Sequence, residues 1–311
     1  MHTTDARWSL DALRPSAAER RLAERIGDLA AAALSAEVLL TPKPGLVDRR
    51  NNGAHRDMNL DTFFASIHAI GGYFEQFALT GLRNAAEPTG RVLPLLRPVG
   101  VLAEAAMCRA TGNVNTHKGG IFAMGLLCAA AGRLCAQGIT PDAPALCAEV
   151  ACICAGLVTA ELGAATREAR TAGERFYARY GMTGARGEAE SGFATARLYA
   201  LPVYQSLCDR GVEADRALLQ AMLHLLANND DTNLVSRGGP EGLAFVQHQA
   251  RALIARGGVL AQDGLDQLAA LDDALIARHL SPGGSADLIA VTVFLAEAPV
   301  TLGSQPIDQL A

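Results

Sequence analysis

Ser16-Ala-Ala-Glu-Arg-Arg-Leu-Ala-Glu-Arg-Ile-Gly-Asp-Leu-Ala-Ala-Ala-Ala33 carries two independent helix signals. Ser16 followed three residues later by Glu19 is a capping box, in which each side chain satisfies a free N–H group at the helix start. Behind it Leu22, Ile26, Leu29 and Ala33 fall at spacings of four, three and four, which puts them on one stripe of a helix. The helix has to stop before Thr41-Pro-Lys-Pro-Gly45, because two prolines and a glycine cannot continue it.

The same apolar periodicity recurs along the chain. It predicts helices over Asp61–Leu82, Leu93–Ala110, Thr116–Gln137, Ala145–Gly163, Thr166–Tyr180 and Phe193–Asp209. Further helices are expected over Asp215–Ala227, Pro240–Ala255, Gly264–His279 and Asp287–Ala296. Alternating strand patterns and hairpin turns are scarce. The Gly/Pro stretches at Glu87–Gly90, Gly138–Pro144 and Gly181–Gly184 are too short for an interdomain linker, and no internal repeat is present. The expectation is an all-α protein: a single multi-helix globular domain over 16–311, with residues 1–15 set apart as a mobile N-terminal segment.

Composition narrows the function. Half of the 311 residues are hydrophobic, ample for a buried core, while a net charge of −5 and only 5% aromatic residues give no case for nucleic acid. The opening Met1-His-Thr-Thr-Asp-Ala-Arg-Trp8 lacks the apolar run of a secretion signal. The apolar stretches Ile121–Gly132 and Val150–Ala160 are too short to span a bilayer. A cytoplasmic protein without a membrane partner is expected. Seven cysteines, without a Cys-x-x-Cys pair, read as core thiols in a reducing compartment.

Five polar clusters interrupt the helices: Thr41–Asp48, Asn113–Gly119, Arg186–Gly192, Asn228–Gly239 and Ser281–Ser285. Helix ends carry free backbone groups, and loops on a rigid scaffold carry most chemistry, so the clusters suggest one composite site built from helix-end loops. Each has a plainer account. Asn115 or Thr116 is a ready N-cap, Glu188 and Glu190 just ahead of, or within, the first turn of the next helix are ordinary dipole compensation, and Ser281-Pro282 starts a helix. Capping leaves His117 and Lys118 unexplained, since the dipole disfavours cations in a first turn unless an anion binds there. Nor does it explain the run Asn228-Asn-Asp-Asp231, where Asp230 and Asp231 with Asn233 offer oxygen ligands to Mg²⁺, or Arg237-Gly-Gly239, which offers a fork and bare backbone to phosphate. The phosphate-loop, dinucleotide, nucleophile-elbow and zinc-helix motifs are all missing.

Taken in order, Thr41-Pro-Lys-Pro-Gly-Leu-Val-Asp48, Asn52-Gly-Ala-His-Arg-Asp-Met58, Asn115-Thr-His-Lys-Gly119, Arg186-Gly-Glu-Ala-Glu-Ser-Gly-Phe193 and Asp231-Thr-Asn-Leu-Val-Ser-Arg-Gly-Gly239 resemble the triphosphoribosyl-dephospho-CoA synthase family. The likeness runs from about Leu22 to Leu295, with Gly120 standing where the family usually has Ala. The stretch Leu40-Thr-Pro-Lys-Pro-Gly-Leu-Val-Asp-Arg-Arg-Asn51 is more similar to the malonate decarboxylase branch than to the citrate lyase branch.

The resemblance implies an all-α enzyme and a pentosyl transfer. ATP and 3′-dephospho-CoA give 2′-(5″-triphosphoribosyl)-3′-dephospho-CoA and adenine, and the product passes to a transferase that modifies an acyl carrier protein. A single inverting displacement at C1″ asks for one carboxylate to take the hydroxyl proton and another group to protonate the departing base. Residue chemistry then nominates Glu188 and Glu190 as catalytic carboxylates, with Glu188 as the base. It assigns Lys43, His117, Lys118 and Arg237 to the triphosphate and Asp48 and Asp231 to Mg²⁺. His55, Asn115, Arg186, Asn233, Gly238 and Gly239 are further substrate-binding candidates. A homo-oligomer is left open. Two other classes remain: a Mg²⁺-dependent ADP-ribosyl hydrolase-like enzyme, which would release ADP-ribose, and a non-catalytic module that binds a carrier protein.

Overall fold

The computed structural model describes residues 15–163 and 172–303, and among these the regular structure is helical throughout. The 1–15 segment expected to be mobile lies outside the described residues apart from Pro15, as does the start of the helix expected from Thr166.

The opening stretch folds as read. In α1 (Ala17–Leu39) the Glu19 N–H donates to Ser16 Oγ at 3.1 Å and the Ser16 N–H donates to Glu19 Oε2 at 2.5 Å. Such a cap is worth about 1 kcal/mol. Leu22, Ile26, Leu29 and Ala33 are all buried. α2 (Leu60–Arg83) has a reciprocal cap of its own between Asn59 and Thr62. α3 (Val92–Thr111) and α4 (Lys118–Ala136) complete a sheaf in which α2 packs on α1, α3 and α4.

α4 is apolar on all sides because it is surrounded, and so is α13 (Gly283–Leu302), which packs on both α1 and α4. α9 (Leu201–Asp209), α10 (Ala214–Asn228) and α11 (Thr232–Ala255) cover the opposite side, with α12 (Gly264–Ala277) against α11. By length and hydropathy alone, Lys118–Ala136, Ala143–Leu162 and Gly283–Leu302 reach membrane-span values, longer windows than the sequence reading considered. In α4 and α13 that surface is spent on the core. The middle window is broken at Gly156 (φ 78°) into α5 (Ala143–Ile153) and α6 (Leu157–Leu162).

Three further departures from expectation fall in the polar clusters, each for a local reason. Arg186–Gly192 is mostly helix: α7 (Ala172–Tyr180) is followed by the short α8 (Gly184–Glu190), closed by Gly192 (φ 66°) and Phe193 (φ 55°). Helix resumes at Thr232, because Asp231 accepts from the N–H groups of Asn233 and Leu234. Gly239 (φ 64°) and Pro240 then kink α11 where the sequence had placed a helix start. All seven cysteines are unpaired; burial raises Cys147 to about 11 and Cys154 to about 12.

The α2–α4 contact is close enough to test. A Cβ on Gly132 would lie 2.3 Å from the Ala78 carbonyl oxygen, whereas one on Gly72 would meet nothing within 4 Å. Gly132→Val should cost at least about 1–3 kcal/mol by overpacking, while Gly72→Ala should gain about 0.5–1 kcal/mol of helix stability. Urea denaturation of the two variants reads both signs, and equal effects would contradict the backbone contact.

Candidate active site

The five clusters meet. A cleft of about 470 Å3 is lined by Lys43, His117, Glu188, Asp231, Arg237 and Ser281, among others, one or more from each cluster. Nothing in helix packing alone requires five loops so distant in sequence to share one cavity.

Lys43 reaches the cleft from the loop after α1 and is almost wholly buried. Its Nζ lies 2.5 Å from Glu37 Oε1, and burial raises the Glu37 pKa against the pull of that ammonium. His117 is held by a relay: Thr116 Oγ1 donates to Ser66 Oγ at 2.8 Å, and Ser66 Oγ lies 2.8 Å from His117 Nδ1. Because Ser66 Oγ already accepts from Thr116, its own proton is assigned to Nδ1, and on that assignment the neutral ring carries its proton on Nε2. That buried Nε2 has no hydrogen-bond partner among the described residues. Burial, then the charge of Lys43, lowers the His117 pKa to about 3, so the ring stays neutral. Asn115 accepts from the Lys118 N–H, while Lys118 itself reaches out to Glu104 at 2.9 Å.

The free N–H groups at the start of α4 face a carboxyl group of the protein itself. Asp287, half-buried in the second turn of α13, accepts a hydrogen bond from the Gly120 N–H and lies so close to Gly119 that a Cβ there would clash with its carboxylate. Burial, then the negative charges of Glu37 and Asp231, pushes its pKa well above the carboxylate range. Sequence reasoning missed this residue and Glu37. For Asp287 there was a signal: it is the sole charged residue between Ser281 and Glu297.

Glu188 sits in the last turn of α8 and precedes the helical stretch that opens at Ala194, whose Thr195 N–H donates to it, so it compensates that helix start as well as facing the cleft. Its Oε1 accepts from Thr195 Oγ1 at 2.5 Å and its Oε2 from the Thr195 N–H at 3.2 Å. Burial raises its pKa, Thr195 opposes, and Asp230 adds to the rise. Thr195 is the orienting partner that the sequence did not reveal. Arg237 donates to the carbonyls of Ala54 and His279 and lies 3.2 Å from His55 Nδ1, while His55 Nε2 lies 2.8 Å from Ser281 Oγ. Asn233 also lines the cleft.

Other nominated residues do different work. Glu190 is outside the cleft and accepts from the N–H groups of Gly156 and Val158, capping α6. Asp48 is also outside it, and its oxygens take the N–H groups of Lys43, Arg50 and Asn51. Asp231 lines the cleft, but Ser285 N–H and Oγ and the Asn233 and Leu234 N–H groups occupy its carboxylate. Arg186 pairs with Glu161 at 2.6 Å, beside the cleft. Gly238 packs on Leu280, and Gly239 serves the kink. Among the described residues no group of three His, Cys, Asp or Glu side chains is arranged to cage a metal ion.

A cleft with a buried lysine, an unpartnered imidazole N–H, an arginine and a desolvated carboxylate can hold a polyphosphate sugar and take a proton. Residues 23–305 match the family described as ATP:dephospho-CoA triphosphoribosyl transferase. The chain belongs to that family. It is thereby an enzyme, a transferase. A protein named 2-(5''-triphosphoribosyl)-3'-dephosphocoenzyme-A synthase from Klebsiella pneumoniae is 53% identical over 277 residues, covering 89% of this chain and 92% of the relative. Two proteins named "Probable 2-(5''-triphosphoribosyl)-3'-dephosphocoenzyme-A synthase" are 51% identical. The one from Salmonella gallinarum aligns over 277 residues, 89% of this chain and 92% of its own. The one from Vibrio cholerae aligns over 273 residues, 88% of this chain and 87% of its own. No solved structure matches.

Asp287 makes stability depend on pH. A carboxyl whose folded pKa exceeds its unfolded value, about 3.9, keeps a proton that the unfolded chain has released, so stability falls as pH rises from the unfolded value through the folded one. Asp287→Asn removes that titration and keeps an acceptor for the Gly120 N–H. Melting curves should show little gain over the parent near pH 4 and a growing gain towards pH 8. A gain over the parent that stays flat or shrinks as pH rises would contradict the raised pKa.

Proposed function

We propose that the cleft transfers the triphosphoribosyl group of ATP to the 2′-hydroxyl of 3′-dephospho-CoA and releases adenine. The observation that carries this reading is the pairing in one cavity of a desolvated, Thr195-oriented Glu188 with the Lys43–His117 anion pocket. Lys43, the His117 Nε2–H, Asn233 and Arg237 bind the triphosphate, which is retained in the product and serves as a handle that orients the ribose. The 2′-hydroxyl attacks C1″ as its proton passes to Glu188. The C1″–N9 bond breaks with inversion, and adenine leaves with a proton from Asp287, which burial keeps protonated. Two carboxyls with separated roles match what such a displacement asks for.

Apart from the protonated Asp287, the cleft lining sets Glu37, Asp57, Glu188, Asp230 and Asp231 against Lys43, Lys118 and Arg237. A polyphosphate entering so acidic a cavity has to bring a cation. Asp48 and Asp231 are already occupied by donors, so a protein-built cage does not fit, and Mg²⁺ enters as part of the substrate, on the phosphate oxygens. The Leu40–Asn51 stretch supports the malonate decarboxylase carrier protein over that of citrate lyase as the final recipient, in the cytoplasm. Coupling the product to each apo carrier protein through its own modifying transferase discriminates between them.

Adenine release from ATP, followed with and without 3′-dephospho-CoA, tests the reaction. Release that requires the acceptor supports transfer, release without it supports hydrolysis, and none supports a binding module. Glu188→Gln is nearly isosteric but cannot take a proton. It should lower turnover by about 10²–10⁴ while leaving ATP affinity near the parent's. Near-normal adenine release by this variant would remove Glu188 from the chemistry.

A further inference from the structure

The catalytic cleft has a neighbour. A second cavity of about 450 Å3 shares Lys118, Gly119, Phe122 and Ala185 with it, so the two lie side by side. Their linings differ in kind. The cleft is crowded with charge, whereas Phe77, Leu96, Ile121, Leu126 and Leu157 wall the second cavity. Its charged groups include Arg97, Glu161 and Arg186, joined in an ion-paired bridge in which Glu161 holds both arginines. Val101, which also lines it, is 68% exposed, so the cavity opens to solvent along α3 as a groove.

We propose that this groove holds the pantetheine arm of the acceptor and thereby selects 3′-dephospho-CoA over simpler nucleotides. The inference rests on the triphosphoribosyl-transfer reading. The reacting part of the acceptor is an adenosine, which any nucleotide supplies. Its 5′-pyrophosphate carries a long, mostly apolar chain with a geminal dimethyl group, two amides and a thiol. Such a chain, leaving a polar cleft, needs a continuous apolar channel with a few polar groups at its entrance. Apolar walls starting at Lys118 and edged by Arg186 meet that description, with the two cations where the pyrophosphate passes from cleft to groove. A cavity of this volume lies in the usual range for small-molecule sites. Binding the unreactive arm there contributes energy that holds the 2′-hydroxyl in place for attack.

Gly100 offers a way to fill the groove without disturbing the fold. It lies within α3 on the groove wall, and a Cβ on it would meet only the edge of the Phe77 ring, at 3.9 Å. Replacing a helix-interior glycine also favours the helix. The series Gly100→Ala, Gly100→Leu and Gly100→Phe in the full chain should raise the KM for 3′-dephospho-CoA progressively, by about tenfold or more for Phe, while the KM for ATP stays within about twofold. A KM for dephospho-CoA that ignores side-chain size overturns the proposal, as does a series in which the ATP KM rises instead, because the groove would then hold the base of ATP. Failure of the transfer reading itself looks different: the unmodified chain would release no adenine on addition of dephospho-CoA.

Discussion

The buried ion pair between Lys43 and Glu37 is the constraint around which the cleft is arranged. Both side chains are all but removed from water, so each depends on the other. Losing one partner of such a pair costs about 3–5 kcal/mol. Holding Lys43 there requires the loop after α1 to be rigid, and two buried carboxylates make it so. Asp48 gathers the N–H groups of Lys43, Arg50 and Asn51, while Asp272 of α12 takes the Gly45 N–H, Asn51 Nδ2 and the Arg50 guanidinium. The loop that carries the cation is thus fastened from within and to a distant helix.

Around that pair the protein keeps more acid than base. Asp231 ties the start of α11 to the start of α13, and Asp287 fills the space before α4. Their raised pKa values show what this costs the empty cleft. In the proposed reaction the cost has a use: a neutral imidazole keeps a free N–H for phosphate, a protonated carboxyl is ready for the leaving base, and a desolvated Glu188 is ready for the hydroxyl proton.

The helices were legible because their signals are local. The Ser16–Glu19 box and the Leu22 stripe need only near neighbours, and both appear as read. That the polar clusters belong together was legible as well, since His117 and Lys118 made poor sense as capping residues. The duties of individual carboxylates were hidden, because they depend on partners far away in sequence. Asp48 and Glu190 look like Glu188 in composition and surroundings, yet the first two turn to backbone N–H groups outside the cavity, and of the three only Glu188 lines it. Glu37 lies outside the five polar clusters, and Asp287, though the sole charge between Ser281 and Glu297, falls just past the last of them, so neither drew notice.

A crystal structure with ATP, Mg²⁺ and 3′-dephospho-CoA bound together tests the central claim most directly, because the claim concerns where two substrates meet. The account predicts the triphosphate on Lys43, His117 and Arg237, with the acceptor 2′-hydroxyl about 3–3.5 Å from C1″ and within hydrogen-bond reach of Glu188. Substrates bound with the ribose turned away from Glu188, or ATP seated outside the shared cleft, would contradict it.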